Sequence, residues 1–185
     1  MRSSVLVAFV VACSACNGAA PRPLPTQEPF IALERDFQGF EGWSKVDLSQ
    51  RPAVSETHAS GDAHEYVSHL PAPGSKEFPV GTILVKTVKS NHPPQGGTEA
   101  KAANDTDIFA MVKRGGGYNR RGALGWEWFE LRRRGDDTLG IVWRGVNPPS
   151  GEGYGGDPLG GCNGCHQMAV ANDYVHATSL ALAKL

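Results

Sequence analysis

Near the start of the folded part of the chain, Phe30, Leu33, Phe37 and Phe40 recur at helical spacing, and Gly42 follows where a helix can stop. This pattern predicts an amphipathic helix. Beyond it the period shortens. Trp43 to Leu48 alternates weakly, and His64 to Leu70 carries Tyr66 and Val67 ahead of a Pro/Gly turn at Pro71 to Gly74, so both read as strands. Gly81 to Lys89 is dense in β-branched residues and bounded by Pro79 and by Asn91 to Gly97, which predicts a strand lying centrally in a sheet. Asp107 to Arg114, Leu124 to Arg133 and Thr138 to Arg144 follow, separated by Gly115 to Gly122 and by Gly135-Asp136-Asp137, as hairpin-joined antiparallel strands are. From His166 onward, Met168, Ala171, Tyr174, Val175, Thr178 and Leu182 approximate a helical stripe. The expected class is α+β: mainly antiparallel sheet with an N-terminal helix and a C-terminal helix that carries His166.

The ends change the picture. Residues 1–16 hold one basic residue, a short apolar run and small residues leading to cysteine, the pattern of a signal peptide too short to span a membrane. Val10-Val11-Ala12-Cys13 resembles a lipobox, in which the cysteine is acylated; Cys16 is a second candidate, and ordinary cleavage nearby is the alternative. Residues 17–29, with Pro21, Pro23, Pro25 and Pro29, read as an extended tether, which leaves residues 30–185 as one domain. The expected location is the periplasmic side of the membrane, held by a lipid anchor only. The formal charge of −1 falls to −2 when the single positive charge of Arg2 leaves with the signal, and gives no reason to expect nucleic acid.

Chemistry concentrates at Cys162-Asn163-Gly164-Cys165-His166, a C-x-x-C-H. Two thiols at this spacing can each form a thioether to a haem vinyl group while the adjoining imidazole reaches the iron, so the motif predicts one covalent haem c per chain. Cys162 and Cys165 would hold the porphyrin and His166 the metal. Redox disulfides, zinc sites and structural bridges also use C-x-x-C. Zinc lacks further cysteine partners here, because Cys13 and Cys16 lie in the targeting segment. The Gly/Pro-rich stretch from Gly145 to Gly161 is expected to border the haem.

Phe78 to Lys86 (F-P-V-G-T-I-L-V-K), Ala110 to Arg114 (A-M-V-K-R), Gly125 to Phe129 (G-W-E-W-F), the C-x-x-C-H and Asp173-Tyr174-Val175, in that order, resemble the cytochrome P-460 family across roughly residues 30–185. The resemblance implies an exported, usually dimeric, mono-haem cytochrome built mainly from antiparallel strands, passing electrons to an exported electron-transfer protein. Members called cytochrome P-460 oxidise hydroxylamine at a five-coordinate haem that is also cross-linked to a lysine. The related cytochromes c′-beta share the fold without the cross-link and bind small gases such as nitric oxide.

Several residues bear on which of these activities applies. Strand parity puts Lys86 on the face of Leu84 and Val88, where an amine on an apolar stripe loses its proton readily and becomes nucleophilic. By its place in the motif it is the cross-link candidate; Lys89 faces the other way, and a snorkelling lysine is the plain alternative. The resemblance implies a distal carboxylate a few residues before the haem motif, for which Asp157 stands nearest, with Glu152 the other candidate for a catalytic base. Met111 as a sixth iron ligand would make the protein an electron carrier, although strand methionines usually pack cores. His58, His64, His69, His92 and His176 read as surface or hydrogen-bonded histidines. Lys113, Arg114, Arg120, Arg121 and Arg132 to Arg134 read as a solvated strand end, a few of them suited to haem propionates. Trp126 and Trp128 face one side of a strand and Phe129 the other, which requires cover on at least one side.

Overall fold

The computed structural model describes residues 28–47, 62–89, 106–149 and 161–184. The lipobox with Cys13 and Cys16, most of the tether, His58, His92, Glu152 and Asp157 lie outside the described residues.

Six strands form a single antiparallel meander in chain order: β1 Ser44–Val46, β2 Asp62–Val67, β3 Ile83–Lys89, β4 Thr106–Lys113, β5 Trp126–Arg133 and β6 Leu139–Gly145. The five strand stretches anticipated beyond the first helix and the weak one at Trp43 to Leu48 all appear, and β3 lies inside the sheet. Alternation divides the side chains between two buried faces. One face gathers Val67, Leu84, Met111, Trp126, Trp128 and Trp143 against the C-terminal segment, with Val175, Ala177, Leu180 and Leu182. The other gathers Ile83, Val85, Ile108, Ala110, Val112, Phe129 and Leu131 against Ala32, Phe37 and Phe40 of the N-terminal segment. Burying each large side chain of these two layers contributes about 1.5–3 kcal/mol.

A register shift between Glu130 and Leu131 pairs Glu130 with Trp143 and Leu131 with Ile141. Val142 is the extra residue of β6 and is exposed. The bulge sends Trp143 to one face and Ile141 to the other, although strict alternation would put both on the same side.

The two helices differ from expectation. The N-terminal stretch forms two 3₁₀ turns, Glu34–Phe37 and Phe40–Gly42, separated by Gly39 at φ 69°. The left-handed glycine ends the first turn, and an i, i+3 apolar repeat suits 3₁₀ turns as well as an α-helix, so Phe37 and Phe40 are buried without one. At the other end, α1 spans only Gly161–Gln167 and includes His166. The chain then continues in 3₁₀ turns, Val170–Asn172, Thr178–Leu180 and Leu182–Lys184, because Asp173 and Tyr174 both adopt positive φ and interrupt any continuous helix. Among the described residues no helix is long and apolar enough to cross a membrane.

Candidate functional site

The C-x-x-C-H motif lies on α1, docked on the face of Leu84, Met111 and Trp128. Asn163, between the two cysteines, holds it there. Its Oδ1 accepts from Trp128 Nε1 (3.1 Å), the Ala123 amide (3.1 Å) and Asn119 Nδ2 (2.8 Å), and its Nδ2 donates to the Val146 carbonyl (2.7 Å). Gly122 admits this contact: a Cβ there would stand 2.2 Å from the Asn163 side chain. The motif therefore has a fixed seat on the sheet, with Cys165 buried and Cys162 partly so.

His166 Nδ1 lies 2.6 Å from the carbonyl oxygen of Tyr174. A carbonyl only accepts, so Nδ1 carries the proton and Nε2 keeps its lone pair for a metal. The ring rests against Trp128 at 4.6 Å and His176 at 5.1 Å between centroids. His176 Nε2 in turn donates to the Cys165 carbonyl at 2.9 Å. Two thiols one helical turn apart, followed by an imidazole already in the metal-binding tautomer, fit a covalently attached haem. They fit zinc poorly: among the described residues no cluster of three His, Cys, Asp or Glu is placed to hold a metal ion.

Tyr174 and Asp173 sit at φ 68° and φ 50°. Left-handed conformations of this kind cost about 1–3 kcal/mol per non-glycine residue and persist only where surrounding contacts impose them. Those contacts centre on Asp173. Lys113 Nζ donates to Oδ1 and Oδ2 at 2.6 and 2.8 Å, the Phe78 amide donates to Oδ2 at 2.8 Å, and Trp126 Nε1 donates to the Asp173 carbonyl at 2.8 Å. The side chains of Lys113 and Asp173 are 6% and 8% exposed. Lys113 thus leaves the basic cluster read from the sequence. It turns inward over the Trp126 ring, while Arg133 and Arg134 make surface pairs with Glu41 and Glu34.

Registers place the remaining candidates. Val67, Leu84, Met111 and Trp128 form one row across the sheet beneath α1, and Met111 is buried there among core side chains. Two residues further along, about 7 Å on, the same face presents Glu65, Lys86, Phe109, Glu130 and Trp143, each paired with the next across the sheet. Lys86 and Phe109 are half-buried, and Glu130 is 5% exposed with its Oε2 accepting from Trp143 Nε1 at 2.8 Å. Lys86 does share its face with Leu84 and Val88. His69 is bonded to Ser68 and Thr82 near the surface.

The sequence reading passed over Asn163, the Asp173–Lys113 pair and Glu130. Glu130 had a signal, since it stands at i+2 and i+4 from Trp128 and Trp126 and so shares their face. The bulge that brings Trp143 to it had none.

A cleft of about 450 Å³ opens beside this anchor, lined by Phe78, Lys113, Arg120, Leu124, Asp173 and Tyr174 among others.

Compared with known proteins, residues 37–177 match the family model described as Cytochrome P460, here written cytochrome P-460. No curated protein and no solved structure matches the chain.

Proposed function

Because the chain belongs to the cytochrome P-460 family, whose members are haem c proteins, we propose that it is an exported mono-haem cytochrome that oxidises hydroxylamine. Cys162 and Cys165 hold the haem, His166 ligates its iron through Nε2, and Lys86 is the residue that cross-links to the porphyrin. Haem c supplies an iron able to accept electrons from a bound small molecule. The observation that carries the reading is the row Lys86, Phe109 and Glu130 on the face that seats the motif, one step beyond the Trp128 that touches His166.

In this reading Lys86 supplies the amine, from a half-buried place on the face it shares with Leu84. Glu130 is a carboxylate fixed by Trp143, suited to accept protons as hydroxylamine is oxidised. Asp157 and Glu152 remain the other candidates for that role. Electrons leave to an exported electron-transfer protein, the protein works as a homodimer, and its anchor is an acyl group on Cys13 or Cys16.

Phe109 beside Lys86 favours a second reading, in which an apolar distal surface binds nitric oxide at a haem without the cross-link. Turnover of hydroxylamine by the purified holoprotein, with an artificial electron acceptor, decides between them. The oxidase reading expects turnover, a Soret band well to the red of ordinary haem c, and recovery of the Lys86 peptide on the haem fragment after digestion. Lys86→Leu should restore the ordinary band. A haem peptide without Lys86, together with no turnover, selects the gas-binding reading.

A further inference from the structure

We propose that Lys113, Asp173 and Trp126 are positioning residues for the iron ligand: they hold the left-handed Asp173–Tyr174 pair so that the Tyr174 carbonyl keeps its hydrogen bond to His166 Nδ1. The inference rests on His166 as the iron ligand and not on the reaction assigned to the haem.

The geometry concentrates on one residue. Both carboxylate oxygens of Asp173 and its backbone carbonyl accept hydrogen bonds, from Lys113, the Phe78 amide and the Trp126 indole. The next carbonyl along the chain is the one that meets His166, at 2.6 Å. Two consecutive left-handed non-glycines have no intrinsic reason to stay so, and relaxing either would swing the Tyr174 carbonyl away from the imidazole. The surrounding turn is pinned on its other side by Tyr174 N donating to Ala169 O and Asn172 Nδ2 donating to Val175 O. Asp173 is therefore the joint through which the buried ion pair acts on the ligand. A hydrogen bond from Nδ1–H raises the basicity of the metal-bound nitrogen, and with it the donor strength felt by the iron. The pair would thus set how strongly His166 donates to the iron of a bound haem, and with it the reduction potential, from residues outside the C-x-x-C-H motif.

The test uses reduced holoprotein and reads the iron–histidine stretching band by resonance Raman, with the reduction potential measured alongside. Asp173→Asn and Lys113→Met should lower the band frequency and raise the potential, and Lys113→Arg, which keeps the cation, should stay nearer to wild type than Lys113→Met. Glu34→Gln, at a surface ion pair far from the motif, should leave both readings where they were. If Asp173→Asn and Lys113→Met lose thermal stability while band and potential match wild type, the pair only supports the fold and the inference is overturned. Should those variants fail to yield holoprotein, Trp126→Phe removes one hydrogen bond to Asp173 with little change of shape and decides by the same readings. If His166→Ala holoprotein keeps the wild-type iron–histidine band, His166 is not the ligand, and the inference falls with that premise instead.

Discussion

Asn163 occupies a position where the haem motif accepts any residue, yet its side chain bonds to Trp128 on β5, to Asn119 and Ala123 ahead of that strand and to Val146 after β6. Asn163→Ala would strand the Trp128 indole N–H and the Ala123 amide, and leaving buried donors unsatisfied costs about 1–3 kcal/mol each. We expect a loss of about 2–3 kcal/mol by chemical denaturation of the holoprotein, whereas Asn163→Asp, which keeps the acceptor, should lose less. For Glu130, Glu130→Gln should reduce hydroxylamine turnover by about 10²- to 10⁴-fold if it is the base. Full activity there, with loss in Asp157→Ala, returns the role to Asp157. At this scale the C-x-x-C-H stood out in the sequence because the chemistry proposed for it demands a fixed spacing. Asn163 and Asp173 did not, because what they do depends on partners 17 to 95 residues away in sequence.

At the scale of elements, strands were legible and helices were not. Alternation survives in the sequence as a period of two, whereas apolar residues three apart serve an α-helix and a pair of 3₁₀ turns alike. The turns at the N-terminus are fastened to β6 by polar side chains as much as by their phenylalanines. Gln38 donates to the Leu139 carbonyl and accepts from its amide at 3.0 Å each, and Glu34 accepts from Arg134 and from the Ile141 amide. The Arg134 bond, then that of the Ile141 amide, holds the Glu34 carboxyl below its ordinary value. A carboxyl lowered by folding adds stability that is fully present above the ordinary carboxylate range and is lost as pH falls through the lowered value. Thermal unfolding followed from neutral to acid pH should therefore fall less steeply in Glu34→Gln than in the wild type. Equal slopes would show that the pair adds nothing on that limb.

Taken whole, the molecule is a sheet with a cover on each side, and its two faces keep different polar anchors. Opposite the motif, Glu127 is buried and bonded to Arg144 at 2.8 Å and Arg114 at 3.1 Å, and Arg144 reaches on to the Ala32 carbonyl at 2.7 Å. The bond to Glu127 raises the Arg144 guanidinium above its ordinary value. Removing one partner of a buried pair costs about 3–5 kcal/mol, and because both arginines reach solvent we expect Glu127→Gln to lose nearer 2–3 kcal/mol in denaturant titration. The haem proposed for the other face should be untouched, so the variant's absorption spectrum should match the wild type. The meander itself has a consequence for assembly. Among the described residues each strand hydrogen-bonds only to its neighbours in sequence, so the sheet can form one strand pair at a time with little loop entropy lost at any step. Cys162 and Cys165 come after β6, so the six described strands that form the seat of α1 all precede these two thiols along the chain.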